Sequence, residues 1–204
     1  MVYMNRINSR LRPLINKKNR KKLINTDFSL ISSNCNGGFI LHDLGLRFNS
    51  PFVNLWIKPR DYISMLRNLK GFLETPLQFV KEDGINHPIG EIDGVRIYFQ
   101  HYISEEEALE KWNSRIKRMN YDNLFVLFTD RDGCTYEDLK AFDELPFKNK
   151  VVFTNRKYED IHSSFYIKGF EKMDSVGQCF MYMPHKLGKK YYDQFDYVSW
   201  FNSY

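Results

Sequence analysis

Leu124-Phe125-Val126-Leu127-Phe128-Thr129 is followed by Asp130-Arg131-Asp132-Gly133, by Tyr136, Leu139 and Phe142 at helical spacing, and then by Lys150-Val151-Val152-Phe153-Thr154. An apolar run without polar alternation suits a strand covered on both faces. Two such strands joined through a helix are parallel neighbours, because a parallel pair needs a crossover connection. This stretch sets the class: α/β, with a mainly parallel, Rossmann-like sheet flanked by helices. Working toward the N-terminus, residues 28–33 read as a first buried strand, with a helix through about Leu44. Residues 51–57 read as a second strand, and Pro59 begins a helix with Tyr62, Met65, Leu66 and Leu69 on its apolar face. Residues 77–80 are strand-like. Two Asp-Gly turns at 83–84 and 93–94, with Val95, Ile97 and Phe99 alternating against polar neighbours, predict an inserted antiparallel hairpin. Ser104-Glu105-Glu106-Glu107 has the capping-box form and opens a helix with Leu109, Trp112, Ile116 and Met119 on one stripe. Residues 165–167 read as a short strand and 191–200 as a C-terminal helix. The parallel core is expected to carry 28–33, 51–57, 124–129 and 151–154.

Composition narrows the classes. With 43% hydrophobic and 16% aromatic residues among 204, the chain is globular. Of its 30 basic and 25 acidic side chains, eight basic ones (Arg6, Arg10, Arg12, Lys17, Lys18, Arg20, Lys21 and Lys22) and no acidic one stand in residues 1–22. The division read from this is a basic N-terminal arm, 1–22, and a single α/β domain, 23–204. The body is left at 22 basic against 25 acidic residues, so the net charge of +5 belongs to the arm. Such an arm suits an anionic membrane surface. Nucleic acid is not expected as a partner, because the body carries no comparable basic stripe. The arm lacks the apolar centre of a secretory signal, and no segment approaches the ~20 apolar residues of a membrane span. Three cysteines, at 35, 134 and 179, with no CxxC pair, fit reduced thiols rather than disulfides or structural zinc. The expected place is the cytoplasm, peripheral at the inner face of a membrane.

In open α/β sheets ligands bind beyond the carboxyl ends of the strands. Two polar clusters stand there: Ser33-Asn34-Cys35 and Thr129-Asp130-Arg131-Asp132. Cys35 sits where a strand gives way to a helix, and helix-start amides favour a thiolate. The following Gly37 and Gly38 permit a sharp turn and the close approach of a ligand. The site suits a nucleophile or an anion-binding turn. Read as acyl transfer, Cys35 is the nucleophile, His101 the base and Asp130 the orienting acid, with Asn34, Gly37 and Gly38 near the oxyanion. His42 is a rival for His101 and a second substrate-facing histidine. Arg131, Arg115 and Arg118 are candidates for the phosphates of an acyl carrier or lipid-linked glycan. For the last two, simple pairing with the helix dipole is the plainer reading. Read as glycosyl transfer from a nucleotide-sugar, Asp130 and Asp132 would hold a divalent cation against the diphosphate. The chain has no GxGxxG and no P-loop to support that reading. A third reading is a noncatalytic module binding a glycan or phosphate.

Ile31-Ser32-Ser33-Asn34-Cys35-Asn36-Gly37-Gly38, His42-Asp43-Leu44-Gly45-Leu46, Asn49-Ser50-Pro51-Phe52, Lys111-Trp112, Phe128-Thr129-Asp130-Arg131-Asp132-Gly133-Cys134-Thr135 and Leu145-Pro146-Phe147-Lys148-Asn149-Lys150 occur in that order. Together they resemble a bacterial family of unknown function whose members often sit among capsule and exopolysaccharide biosynthesis genes. The resemblance covers about residues 23–202. It implies a setting, surface-polysaccharide assembly on the cytosolic side of a membrane, and a glycan or lipid-linked glycan as substrate. The Asn-Cys turn is also loosely similar to that of capsule acetyltransferases that use a cysteine after the first strand of an α/β fold. That similarity implies acetyl-CoA as donor. Asn36 stands where the family resemblance implies an aromatic. The expectation is a polysaccharide acyltransferase dependent on Cys35, with no metal in this reading.

Overall fold

The computed structural model describes residues 2–203, with side chains from residue 6 onward; Met1 and Tyr204 lie outside it. Four strands form one parallel sheet in the order β1-β5-β6-β7: β1 Ser29–Ser32, β5 Leu124–Thr129, β6 Asn149–Thr154 and β7 Ser164–Tyr166. Period-two alternation sorts the side chains of this sheet into two cores. Ile31, Val126, Phe128 and Val152 face one, which α3 (Pro59–Arg67), α4 (Leu69–Glu74), α5 (Glu105–Ile116) and α6 (Tyr136–Asp143) help to fill. Leu30, Phe125, Leu127, Val151 and Phe153 face the other, closed by α2 (Asn36–Leu44) and the C-terminal segment. A sheet covered on both faces is why its strands read as continuous apolar runs.

The inserted antiparallel unit is a separate three-stranded sheet, β2 Gln78–Val80, β3 Ile89–Ile92 and β4 Val95–Tyr98 in sequence order. Gly94 at φ +77° and Asp93 at φ +51° close the β3–β4 hairpin. Ser104 caps helix α5, its hydroxyl accepting from the Glu107 amide at 3.2 Å.

The fold differs from the sequence reading in three places. Residues 51–57 form no strand. Asn54 takes φ +59°, which breaks the extended run, and the segment instead bridges the two sheets. The Ile57 amide donates to the Ser33 carbonyl at the end of β1, while Trp56 exchanges backbone bonds with Tyr98 of β4. The expected C-terminal helix is interrupted, as a 3-10 turn Tyr191–Gln194 followed by α7 Tyr197–Phe201.

The third difference concerns the basic segment. It is helix α1, Val2–Lys22, and it docks on the body instead of standing apart as an arm. Arg12 is buried and donates to Asp43 on α2 at 2.6 and 3.0 Å and to Asp193. Asn16, Tyr192 and Lys190 also donate to Asp43. The Asn8 amide oxygen accepts from Gly188 N at 2.8 Å. The other seven basic side chains of the segment are exposed. Burial alone would raise the Asp43 pKa, but hydrogen bonds from Tyr192 and Arg12 and the charge of Arg12 prevail and hold it at about 2. Among the described residues no helix is long and apolar enough to cross a membrane.

Candidate active site

Strands β1 and β5 end side by side, and this brings the two polar clusters to one rim. The Ser33 amide donates to Leu127 O, and Asn34 Nδ2 donates to Thr129 Oγ1 at 2.8 Å. Asn34 Oδ1 accepts from the Asn36 amide at 3.1 Å. Asn34 is thus committed at both ends, stapling the strand ends and starting α2, so its side chain is not free to serve an oxyanion. Cys35 occupies the residue before α2 and is partly exposed.

His101 reaches Cys35 from the antiparallel unit. It stands in a turn after β4, closed by the Tyr102 amide donating to Phe99 O at 3.0 Å. Its Nε2 lies 3.2 Å from Cys35 Sγ. Arg115 holds that turn in place: its Nη1 donates to Tyr102 Oη at 2.6 Å and to Val53 O at 3.4 Å. The expected phosphate role of Arg115 therefore gives way to positioning. Arg118 donates to Ser114 Oγ at 2.7 Å and to Phe48 O at 3.1 Å.

The thiol is not the acidic one that the helix start suggested. Burial pushes the Cys35 pKa up, and the charge of Arg131 and the residue's own N–H only partly offset this. A neutral thiol hydrogen-bonded to an imidazole is a general-base arrangement: the proton passes to Nε2 as the sulfur attacks. The other two cysteines are less able still. Burial raises both, Cys179 to about 12.

Cys35 and His101 border a cleft of about 370 Å³, lined also by Trp56, Gln100, Arg131, Asp132, Gln178 and Phe180. Trp56 Nε1 donates to Asp132 Oδ2 at 3.0 Å, fixing an indole beside a carboxylate. An aromatic face flanked by amides, a carboxylate and a guanidinium suits a polyhydroxylated ligand. Leu55, Trp56, Gln100, Gln178 and Phe180 are the lining residues the sequence reading did not single out. Trp56 was visible within a stretch taken for a strand. Gln178 and Phe180 sit in an irregular loop with no pattern to mark them.

Asp130 does not join the site. Its two oxygens accept from the amides of Asn155 and Val176, each at 2.7 Å, so it ties three loops together and does not orient His101. The same bonds leave it unsuited to share a cation with Asp132. Among the described residues no group of three or more His, Cys, Asp or Glu is placed to hold a metal ion. Gly37 and Gly38 serve packing: a Cβ on Gly37 would lie 2.6 Å from Ser32 Cβ, and one on Gly38 2.2 Å from Asn54 Oδ1. The Gly37 amide donates to Ser32 Oγ at 3.3 Å and is not free for an oxyanion. His42 is exposed at the edge of a neighbouring cleft. The Asn36 side chain, next to Cys35, is buried, with neither its Oδ1 nor its Nδ2 paired among the described residues.

The family model described as Domain of unknown function (DUF1919) matches residues 6–202, a span that starts inside α1. An uncharacterized protein of Haemophilus influenzae is 51% identical over 196 residues, covering 96% of this chain and 94% of that protein. A match that takes in both sheets, the docked helix and the cysteine–histidine rim shows that the chain belongs to the DUF1919 family.

Proposed function

We propose that this protein transfers an acyl group to a sugar hydroxyl through Cys35, in the assembly of a surface polysaccharide. The observation that carries the reading is the 3.2 Å approach of Cys35 Sγ to His101 Nε2 on the wall of a cleft lined by an indole, amides, a carboxylate and a guanidinium. As Sγ attacks the carbonyl of an acyl thioester such as acetyl-CoA, His101 takes the thiol proton. The donor's C–S bond breaks, and its thiolate leaves with that proton. The acyl group is then a thioester on Cys35. A sugar hydroxyl attacks this carbonyl while His101 accepts its proton, the S–C bond breaks, and His101 returns the proton to sulfur. Arg131, which lines the same cleft and whose charge favours the thiolate, stabilises the negative charge that develops on both passages. The exposed basic face of α1 is suited to rest on anionic lipid, which would bring a lipid-linked glycan to the cleft.

The test is turnover with acetyl-CoA and a capsular or exopolysaccharide acceptor. Cys35→Ser and His101→Ala should each lower acyl transfer at least 100-fold, within the range for loss of a nucleophile or its base. Full turnover by Cys35→Ser overturns the proposal. Loss of turnover on chelation, restored by manganese, would point to glycosyl transfer instead. For the membrane part, charge reversal at Lys17, Lys18, Lys21 and Lys22 should weaken binding to anionic vesicles at low salt. Unchanged binding removes that part.

A further inference from the structure

A second concavity, about 300 Å³, shares only Cys35 and His101 with the first. Its remaining lining is Gly38, Phe39, His42, Phe48 and Asn54, so it is the more apolar of the two. Phe39 stacks on Phe180 of the first cleft, ring centroids 4.2 Å apart. The cysteine–histidine pair and this stacked pair therefore stand at the border between a polar and an apolar space.

Phe48 lines the apolar space, and three arginines stand beside it at the rim, outside the lining itself. Arg118 donates to its carbonyl, Arg115 lies over its ring with Cζ 5.5 Å from the centroid, and Arg47 precedes it in the chain. Among the described residues none of the three has a carboxylate within the 4.0 Å of an ion pair. Arg118 Nε is buried without a partner. Arg47 is exposed and makes no side-chain hydrogen bond among the described residues. Burial, and then the charges of Arg47 and Arg115, weaken the hold of Arg118 on its proton. Guanidinium groups that repel one another and meet no acid are arranged for an anion that arrives from outside.

We infer that the apolar cleft is the donor's side, and that the donor is an acyl thioester with phosphate on its leaving group: Arg47 and Arg118 receive the phosphate, and Phe39 and Phe48 line the arm that leads to Cys35. This rests on the acyl-transfer reading above and adds to it which cleft takes the donor and which side chains hold its phosphate. The bond changes are those of the first passage: S–C forms at Cys35, the donor's C–S breaks, and the thiolate leaves with the proton from His101. A phosphopantetheine arm has this chemistry, whether it belongs to coenzyme A or to a carrier protein.

The experiment follows acylation of Cys35 by intact mass, using acetyl-CoA, an acetylated carrier protein and the phosphate-free acetyl thioester of N-acetylcysteamine. Arg47→Gln, Arg47→Glu and Arg118→Gln should raise the half-saturating concentration of a phosphate-bearing donor at least tenfold, the charge reversal most. They should leave the phosphate-free donor unchanged. Which phosphate-bearing donor acylates faster identifies its source. Because Arg47 is exposed and unbonded, its variants remain folded, and a melting curve checks Arg118→Gln. Equal effects on all donors, or no effect from Arg47→Glu, overturn the donor assignment while the acyl-transfer reading stands. Failure of every donor to acylate wild-type Cys35 overturns both.

Discussion

A half-buried thiol with raised pKa is a poor nucleophile until something takes its proton, and the imidazole of His101 stands 3.2 Å from the Cys35 sulfur. This separates a neutral pair, where proton transfer accompanies attack, from a preformed thiolate–imidazolium pair, where it precedes attack. The two differ in pH dependence. Because burial lifts the thiol above its ordinary value of 9.0, alkylation of Cys35 by iodoacetamide should still be climbing as pH passes 9. A plateau between pH 5 and 8 would reveal a preformed ion pair and contradict the neutral one. Much of this placement was legible in the sequence: a cysteine after a buried strand and a histidine after a hairpin are both local signals. The acid was not. An aspartate ending a strand has several partners within reach, and Asp130 meets the amides of Asn155 and Val176, loops whose path no local pattern announces. No side chain takes the place of Asp130 as hydrogen-bond partner to His101 among the described residues; the ring is placed through its turn.

That turn belongs to the scale of elements, where the sheets meet. The parallel sheet supplies Cys35 and the antiparallel sheet supplies His101. They are held together by the 51–57 segment and by α5. Arg115, on α5, reaches both Tyr102 in the histidine turn and the Val53 carbonyl. Its role is positioning. Arg115→Ala and Tyr102→Phe should each slow Cys35 acylation about tenfold, with the double variant no slower than the worse single, since both break one link. Additive losses would show that the two act separately. The strands of the parallel sheet were legible because burial on both faces leaves an unbroken apolar run. The same apolarity misled at 51–57: Phe52, Val53, Leu55 and Ile57 are buried, but by packing between two sheets and not by strand pairing. A residue's burial is written in its type. Its hydrogen-bond partner is not, and the positive φ of Asn54 left too faint a mark to reveal the break.

For the molecule as a whole, the docking of α1 turns a charge count into a stability term. The sequence showed eight basic residues without showing that one of them points inward to Asp43, Asp193 and Tyr192. The folded-state pKa of Asp43 is depressed to about 2, against ~3.9 in an unfolded chain. Its contribution is therefore complete above pH ~4 and is lost as pH falls through about 2, on the order of 2 kcal/mol. Asp43→Asn should melt lower at neutral pH and flatten the stability profile between pH 4 and 2; an unchanged slope would place the acid sensitivity elsewhere. Arg12→Ala leaves buried carboxylates without their main partner and should cost ~3–5 kcal/mol. Deleting residues 1–22 should cost at least as much, so the basic helix is better probed by surface charge reversal than by removal. The claim on which the molecule's function turns is that an acyl group rides on Cys35. Peptide mass mapping after brief incubation with a labelled acyl thioester measures it directly. One acyl adduct on the Cys35 peptide, absent in Cys35→Ser, much slower to form in His101→Ala and discharged by a sugar acceptor, is the predicted result. No adduct, or label on Cys134 or Cys179 in its place, would contradict it.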